Sequence, residues 1–181
     1  MKNVKEFIDG YADRVAQMSD EEYENLGKSM LKHTKGNLLD LAEAGEFDII
    51  VQGCNCFNAM GGGIAREIRE RFPMCAEIDN LTERGDYMKL GNWTRYEHDE
   101  FTIINAYTQY NMSTKQDVFE YCAFELILQK LLHEYGTKRI GFPYIGMGLA
   151  GGNKTLILAM LEGFAKEVSE KGGTVTLVEF V

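Results

Sequence analysis

The sequence predicts a three-layer α/β/α sandwich with a mixed central sheet, preceded by an N-terminal helical extension. Three observations carry that expectation. Short runs rich in branched apolar residues, such as Phe47-Asp48-Ile49-Ile50-Val51, alternate with segments of helical period, as in strands buried on both faces and separated by helices. Two strands run straight into glycine-rich loops that open helices, Gly61-Gly62-Gly63 and Gly146-Met147-Gly148. One strand pair, 92–97 and 101–108, is split only by His98-Asp99-Glu100, which reads as a hairpin and makes the sheet mixed.

Taken in order, Val4, Phe7, Ile8, Tyr11, Ala12 and Val15 recur at helical spacing, so residues 2–17 read as an amphipathic helix. Ser19-Asp20-Glu21-Glu22 has the form of a capping box for a short helix that Gly27 closes. These residues, 1–28, make the extension, and 29–181 the α/β domain. Residues 29–35 alternate as a first strand; Gly36-Asn37 turns into the helical turn Leu38-Leu39-Asp40-Leu41-Ala42-Glu43. After the glycine loop, Ile64, Ile68 and Phe72 share a helix face and Pro73 stops it, followed by a helix over 74–84 ending at Gly85. Ser113-Thr114-Lys115-Gln116 resembles a second capping box, opening a helix that carries Phe119, Ala123, Leu126, Ile127, Leu131 and Leu132. A strand at 139–143, a helix capped by Asn153 and running to about Lys171, and a last strand at 174–181 complete the pattern.

Composition narrows the function classes. A net charge of -9 disfavours extended binding to a nucleic-acid backbone, which needs clustered Lys and Arg, but leaves room for a small anion held by a few amides. No apolar run reaches the roughly 20 residues of a membrane span, and the first residues lack a secretory core, so a cytoplasmic protein is expected (host cytoplasm if phage-encoded). Reduced, buried thiols are the expected state of Cys54, Cys56, Cys75 and Cys122. The scattered His33, His98 and His133 offer no metal spacing, and neither a metal nor a cofactor is expected.

Glycine after a strand lets a ligand approach the backbone closely, and the first amides of the following helix carry partial positive charge. In an α/β sheet both loops can share the edge at the strands' carboxyl ends, where they would clamp a diphosphate from two sides. GxGxxG is absent at the first strand-to-helix turn and GxxxxGK[ST] is absent throughout, which weakens dehydrogenase and P-loop readings.

Three pieces, Lys35-Gly36-Asn37-Leu38, the run from Val51 to Ala65, and Pro143-Tyr144-Ile145-Gly146-Met147-Gly148-Leu149-Ala150-Gly151-Gly152, resemble the macro domain family of ADP-ribose-binding α/β/α modules. Within it, Cys54-Asn55-Cys56 followed by Gly61-Gly62-Gly63-Ile64-Ala65 is most similar to the yeast-type ADP-ribose 1''-phosphate phosphatases and their phage and bacterial relatives. The resemblance implies that Asn55 hydrogen-bonds the distal ribose, that the amides of Gly61, Gly62, Gly63 and Ile64 surround that ribose and its phosphate, and that Ile145, Gly146, Met147, Gly148 and Leu149 cover the diphosphate. It implies an adenine end at Asn37 and Leu38, where Asn37 stands in place of the usual aspartate, with Phe180 as a further adenine contact.

The same resemblance shows what is missing. Ala65 and Ala150 stand where two groups of family hydrolases carry a catalytic aspartate. The remaining family activity is removal of the terminal phosphate of ADP-ribose 1''-phosphate, with Asn55 orienting the phosphate. Asp79 and Asp86 are candidates for a general base, although the better reading of each is a solvated surface carboxylate. Asn105, Tyr107 and Gln109 are polar candidates on a strand leading to the ligand edge. Two alternatives stay open: hydrolysis of ADP-ribose from modified protein or nucleic acid, and non-catalytic ADP-ribose reading.

Overall fold

The computed structural model describes residues 28–112 and 117–181. The expected N-terminal helices and the Ser113-Thr114-Lys115-Gln116 box lie outside the described residues. Strands β1 (Leu31–Lys35), β2 (Ile49–Asn55), β3 (Trp93–Glu97), β4 (Thr102–Gln109), β5 (Arg139–Phe142) and β6 (Thr174–Glu179) form one sheet in the order β1-β6-β5-β2-β4-β3. All pairs are parallel except β3 with β4, the expected hairpin.

Alternation along the central strands builds two cores. Ile49 and Val51 point to one face with Phe124, Ile127, Ile157 and Leu161, on helices α4 (Tyr121–Tyr135) and α5 (Lys154–Glu170). Ile50 points to the other with Leu39, Ile68 and Cys75, on α1 (Leu38–Glu43), α2 (Gly63–Arg71) and α3 (Pro73–Asn80), and with Phe72 at the junction of α2 and α3. Each such side chain contributes roughly 1.5–3 kcal/mol on full burial, which is why the near-continuous apolar runs become central strands. The expected three layers and mixed sheet are therefore present. Among the described residues, no helix is long and apolar enough to cross a membrane.

Three expected boundaries are corrected. The helix after Pro73 ends at Asn80 rather than Arg84, because its terminal carbonyls are taken early: Asn58 Nδ2 donates to the Asp79 carbonyl at 2.7 Å and Thr82 Oγ1 donates to it at 2.7 Å. A one-turn 3₁₀ helix, Tyr87–Lys89, follows, with Asp86 as its cap. The fourth helix begins at Tyr121, so Phe119 lies before it, buried in a bridge to Gln109, while Leu126 faces outward and is 49% exposed. The last strand stops at Glu179 rather than Val181, leaving Phe180 73% exposed.

Candidate functional site

Because β1, β6, β5, β2 and β4 run in the same direction, the segments following them emerge on one edge. Going along that edge, Asn37 follows β1, Phe180 follows β6, residues 143–152 follow β5, and residues 56–62 follow β2. β1 and β2 stand three strand spacings apart, about 14 Å, so the edge offers an elongated seat.

The two glycine loops meet there. A Cβ built on Gly62 would lie 3.0 Å from Leu149 Cδ1, which puts the β2 loop and the β5 loop in direct contact range. Gly62 opens α2 in an extended conformation without a side-chain cap. Among the described residues, the amides of Gly61, Gly62, Gly63 and Ile64 donate to no other group, as first-turn amides of an uncapped helix must. Across from them the amides of Gly148 and Leu149 are likewise unpaired among the described residues. The β5 loop holds its shape through Gly152 N donating to the Gly146 carbonyl at 2.9 Å and Met147 N donating to the Tyr144 carbonyl at 3.1 Å. Gly146 has φ +72, and a Cβ there would overlap the Phe119 ring at Cε2, so only glycine fits both the left-handed turn and the close packing. Ile145 is buried in the core, Met147 packs partly against it, and Leu149 projects into solvent.

Asn55 sits at the end of β2, 7% exposed, and its amide is turned on its own loop. Its Oδ1 accepts from Phe57 N at 3.0 Å and Ala59 N at 3.3 Å, and its Nδ2 donates to the Ala59 carbonyl at 2.8 Å. One N–H has no partner among the described residues, and the other bonds make Asn55 a shaper of its own loop.

At the other end, Asn37 is a helix cap: its Oδ1 accepts from Leu39 N at 2.8 Å and Asp40 N at 3.3 Å. Asn37 thus has its oxygen engaged in the cap, at the end of the edge where the resemblance implies adenine. Its Nδ2 instead donates to Glu67 Oε1 at 2.7 Å, bringing a carboxylate that the sequence pattern did not flag to this end of the edge. Leu38 is buried in the core on the α1 side of the sheet.

The acidic candidates separate. Asp79 is 1% exposed, not a solvated surface group; its Oδ1 accepts from Tyr107 Oη at 2.6 Å and lies 3.9 Å from Lys89 Nζ. Burial pushes its carboxyl above the ordinary value, while the Tyr107 hydroxyl and the Lys89 ammonium pull it back. Asp86 is spent capping the 3₁₀ helix. Asn105 is fully buried, bonded to Gln52 Nε2 at 2.7 Å and the Cys75 carbonyl at 3.1 Å, and Tyr107 is held by Asp79; both are structural. Gln109 donates to the Asn111 carbonyl at 2.8 Å at the surface. Cys54, Cys56 and Cys75 are buried as expected, whereas Cys122 is exposed. Burial pushes the Cys75 thiol up to about 12 and that of Cys54 well up, which keeps both from acting as nucleophiles.

Sequence reasoning missed Lys89. It is 6% exposed, and its ammonium donates to Asn58 Oδ1 at 2.7 Å, Thr82 Oγ1 at 2.5 Å and the Cys56 carbonyl at 3.3 Å. A lysine one residue before an apolar Leu90 gives no sequence signal of burial. Its partners come from distant segments that only the fold joins.

Comparison with known proteins agrees with this architecture. No family model matches the chain. It is 33% identical over 150 residues to an uncharacterised 17.5 kDa protein from the tk-vs intergenic region of enterobacteria phage T4, covering 77% of this chain and 92% of the phage protein. Among solved structures it is similar to the macrodomain of Mycobacterium tuberculosis DarG, at a TM-score of 0.65 and 17% identity over 82% of this chain and 97% of that one. It is also similar to a Trypanosoma brucei macrodomain solved in complex with ADP-ribose, at a TM-score of 0.57 and 16% identity over 83% of this chain and 63% of that one. At these identities the structural likeness is one of fold.

Proposed function

We propose a function from one premise: the chain belongs to the same family as the phage T4 protein, and its fold is that of a macrodomain. It binds ADP-ribose along the carboxyl edge of its sheet and removes the terminal phosphate of ADP-ribose 1''-phosphate. The observation that carries the reading is the contact range of the two glycine loops, Gly62 against Leu149, each with backbone amides unpaired among the described residues. Such amides suit a diphosphate, whose oxygens accept without requiring a net basic surface.

In this reading the diphosphate lies between the loops and the adenine lies toward Asn37, Glu67 and Phe180. The distal ribose lies at Asn55, whose remaining N–H donates to it. Hydrolysis forms a bond from water oxygen to phosphorus and breaks the bond from phosphorus to the ribose oxygen. The amides of Gly61, Gly62 and Gly63 stabilise the charge on the phosphoryl oxygens, and one water proton passes by way of a phosphoryl oxygen to the departing ribose oxygen, which leaves as a hydroxyl. A side-chain base is not needed for that route. Asp79 is no candidate for one, enclosed as it is by Tyr107 and Lys89.

A binding-only reading is favoured by one observation: positions 65 and 150 are alanine, the first partly buried and the second 6% exposed, so neither supplies a carboxylate. Calorimetry with ADP-ribose and an assay of phosphate release from ADP-ribose 1''-phosphate separate the two. Binding with release supports the phosphatase, binding without release supports a reader, and no binding at saturating ligand removes both. Release of ADP-ribose from a modified protein or oligonucleotide would instead support a de-ADP-ribosylating hydrolase.

A further inference from the structure

We infer that Lys89 is a positioning residue for the glycine loop, a buried cation around which residues 56–62 are bent into shape; its effect on ligand binding rests on the ADP-ribose reading above. A lysine ammonium taken out of water needs all three of its N–H groups satisfied, and here all three are. Two of the three acceptors, the Cys56 carbonyl and Asn58 Oδ1, belong to the loop itself. The third, Thr82 Oγ1, belongs to the segment that leaves α3. The Tyr107 ring, with its centroid 4.4 Å from Nζ, and Asp79, at 3.9 Å, complete the surroundings of the charge.

The bend that this cation serves is at Asn58. Among the described residues it is the one non-glycine with a positive φ, +57. Its amide is gripped at both ends: the oxygen by Lys89, and the nitrogen by the carbonyls of Asp79 at 2.7 Å and Thr82 at 3.1 Å. A strained backbone of this kind persists only where its surroundings over-determine it, and it lies three residues before Gly61. Gly85 N adds a further bond to the Cys56 carbonyl at 2.7 Å, so the segment 82–89 serves as a brace under the loop. The direction in which the amides of Gly61, Gly62 and Gly63 point is therefore set from below, by side chains that never touch the ligand.

The test compares Lys89→Met, which keeps the stem and removes the three donors, with Asn58→Gly, which tolerates φ +57 but gives up both ends of the amide. Val168→Ala, buried in the opposite core beside Gly173 at the amino end of β6, serves as a remote destabilised control. All are studied well below their unfolding temperatures, by the amide resonances of Gly61 to Gly63 and by calorimetry with ADP-ribose. The inference expects Lys89→Met and Asn58→Gly to move those resonances and weaken ADP-ribose by about tenfold or more, while Val168→Ala does neither. A folded Lys89→Met with wild-type resonances and affinity overturns it. Should Lys89→Met not fold, Asn58→Gly decides in its place, and wild-type resonances and affinity in that variant overturn the inference equally. If the wild type itself binds no ADP-ribose, the functional reading fails, and the resonances alone decide the role of Lys89.

Discussion

Replacing Gly62 with leucine tests whether the gap between the two glycine loops is the ligand's seat. Gly62 has φ −143, extended backbone that any residue adopts, so the substitution carries no backbone strain. The added Cβ meets Leu149 Cδ1 at 3.0 Å, but Leu149 is 67% exposed and free to swing outward. Stability should therefore stay within about 0.5 kcal/mol of the wild type. The isobutyl group, in contrast, occupies the space where a diphosphate would bridge the loops. Loss of one charge-assisted amide bond, about 1.5–3 kcal/mol, weakens ADP-ribose roughly 10- to 150-fold. Thermal unfolding and calorimetry on the same preparation read both quantities. An unchanged dissociation constant in a variant of unchanged melting temperature refutes the placement of the ligand between these loops.

Gly146→Ala should be a folding mutant rather than a binding mutant: φ +72 together with the overlap on Phe119 Cε2 predicts a loss of about 2–4 kcal/mol, read by denaturant titration. Gly163→Ala, in mid-α5 with open space around it, should raise stability by roughly 1 kcal/mol and leave ADP-ribose binding untouched, as a melting curve and calorimetry would show. Asn55→Asp keeps the acceptor for the Phe57 and Ala59 amides, but loses the donor to the Ala59 carbonyl and brings negative charge beside the phosphate; calorimetry should show ADP-ribose affinity lower by about tenfold or more. Asp79 titrates above its unfolded value of 3.8 because burial opposes its charge. Its ionisation therefore costs stability, a loss that sets in as pH climbs from that value through the folded one. Carboxyl carbon resonances should show this directly, and Lys89→Met should raise the Asp79 value further by removing a group that lowers it.

The parts of the fold legible in the sequence are those set by local pattern. Ile49-Ile50-Val51 announces a strand buried on both faces, Asn153 announces a cap, and its Oδ1 does accept from Leu156 N. The glycine loops can be placed on one edge because parallel neighbours share a direction. What the sequence hides is set by contacts between distant segments. Asn37 reads as a ligand contact, but its oxygen caps α1, and Glu67, 30 residues away in the chain, stands beside it. Asp79 reads as a surface acid because nothing nearby in sequence says that Tyr107 and Lys89 enclose it. The end of α3 shifts by a few residues because Asn58, from another loop, takes one of its last carbonyls.

Arg71 gives the edge a mechanical property. From α2, the helix that the Gly61-Gly62-Gly63 run opens, its guanidinium reaches Asp40 at 2.8 Å and also Glu43 on α1, the helix that Asn37 caps, while holding Glu67 at 3.0 Å on its own helix. The helices behind the two ends of the proposed groove are thus tied to each other through one guanidinium. In the proposed groove a ligand reaching both ends would gain from the linker that joins its halves, whereas shorter fragments would bind at either end independently.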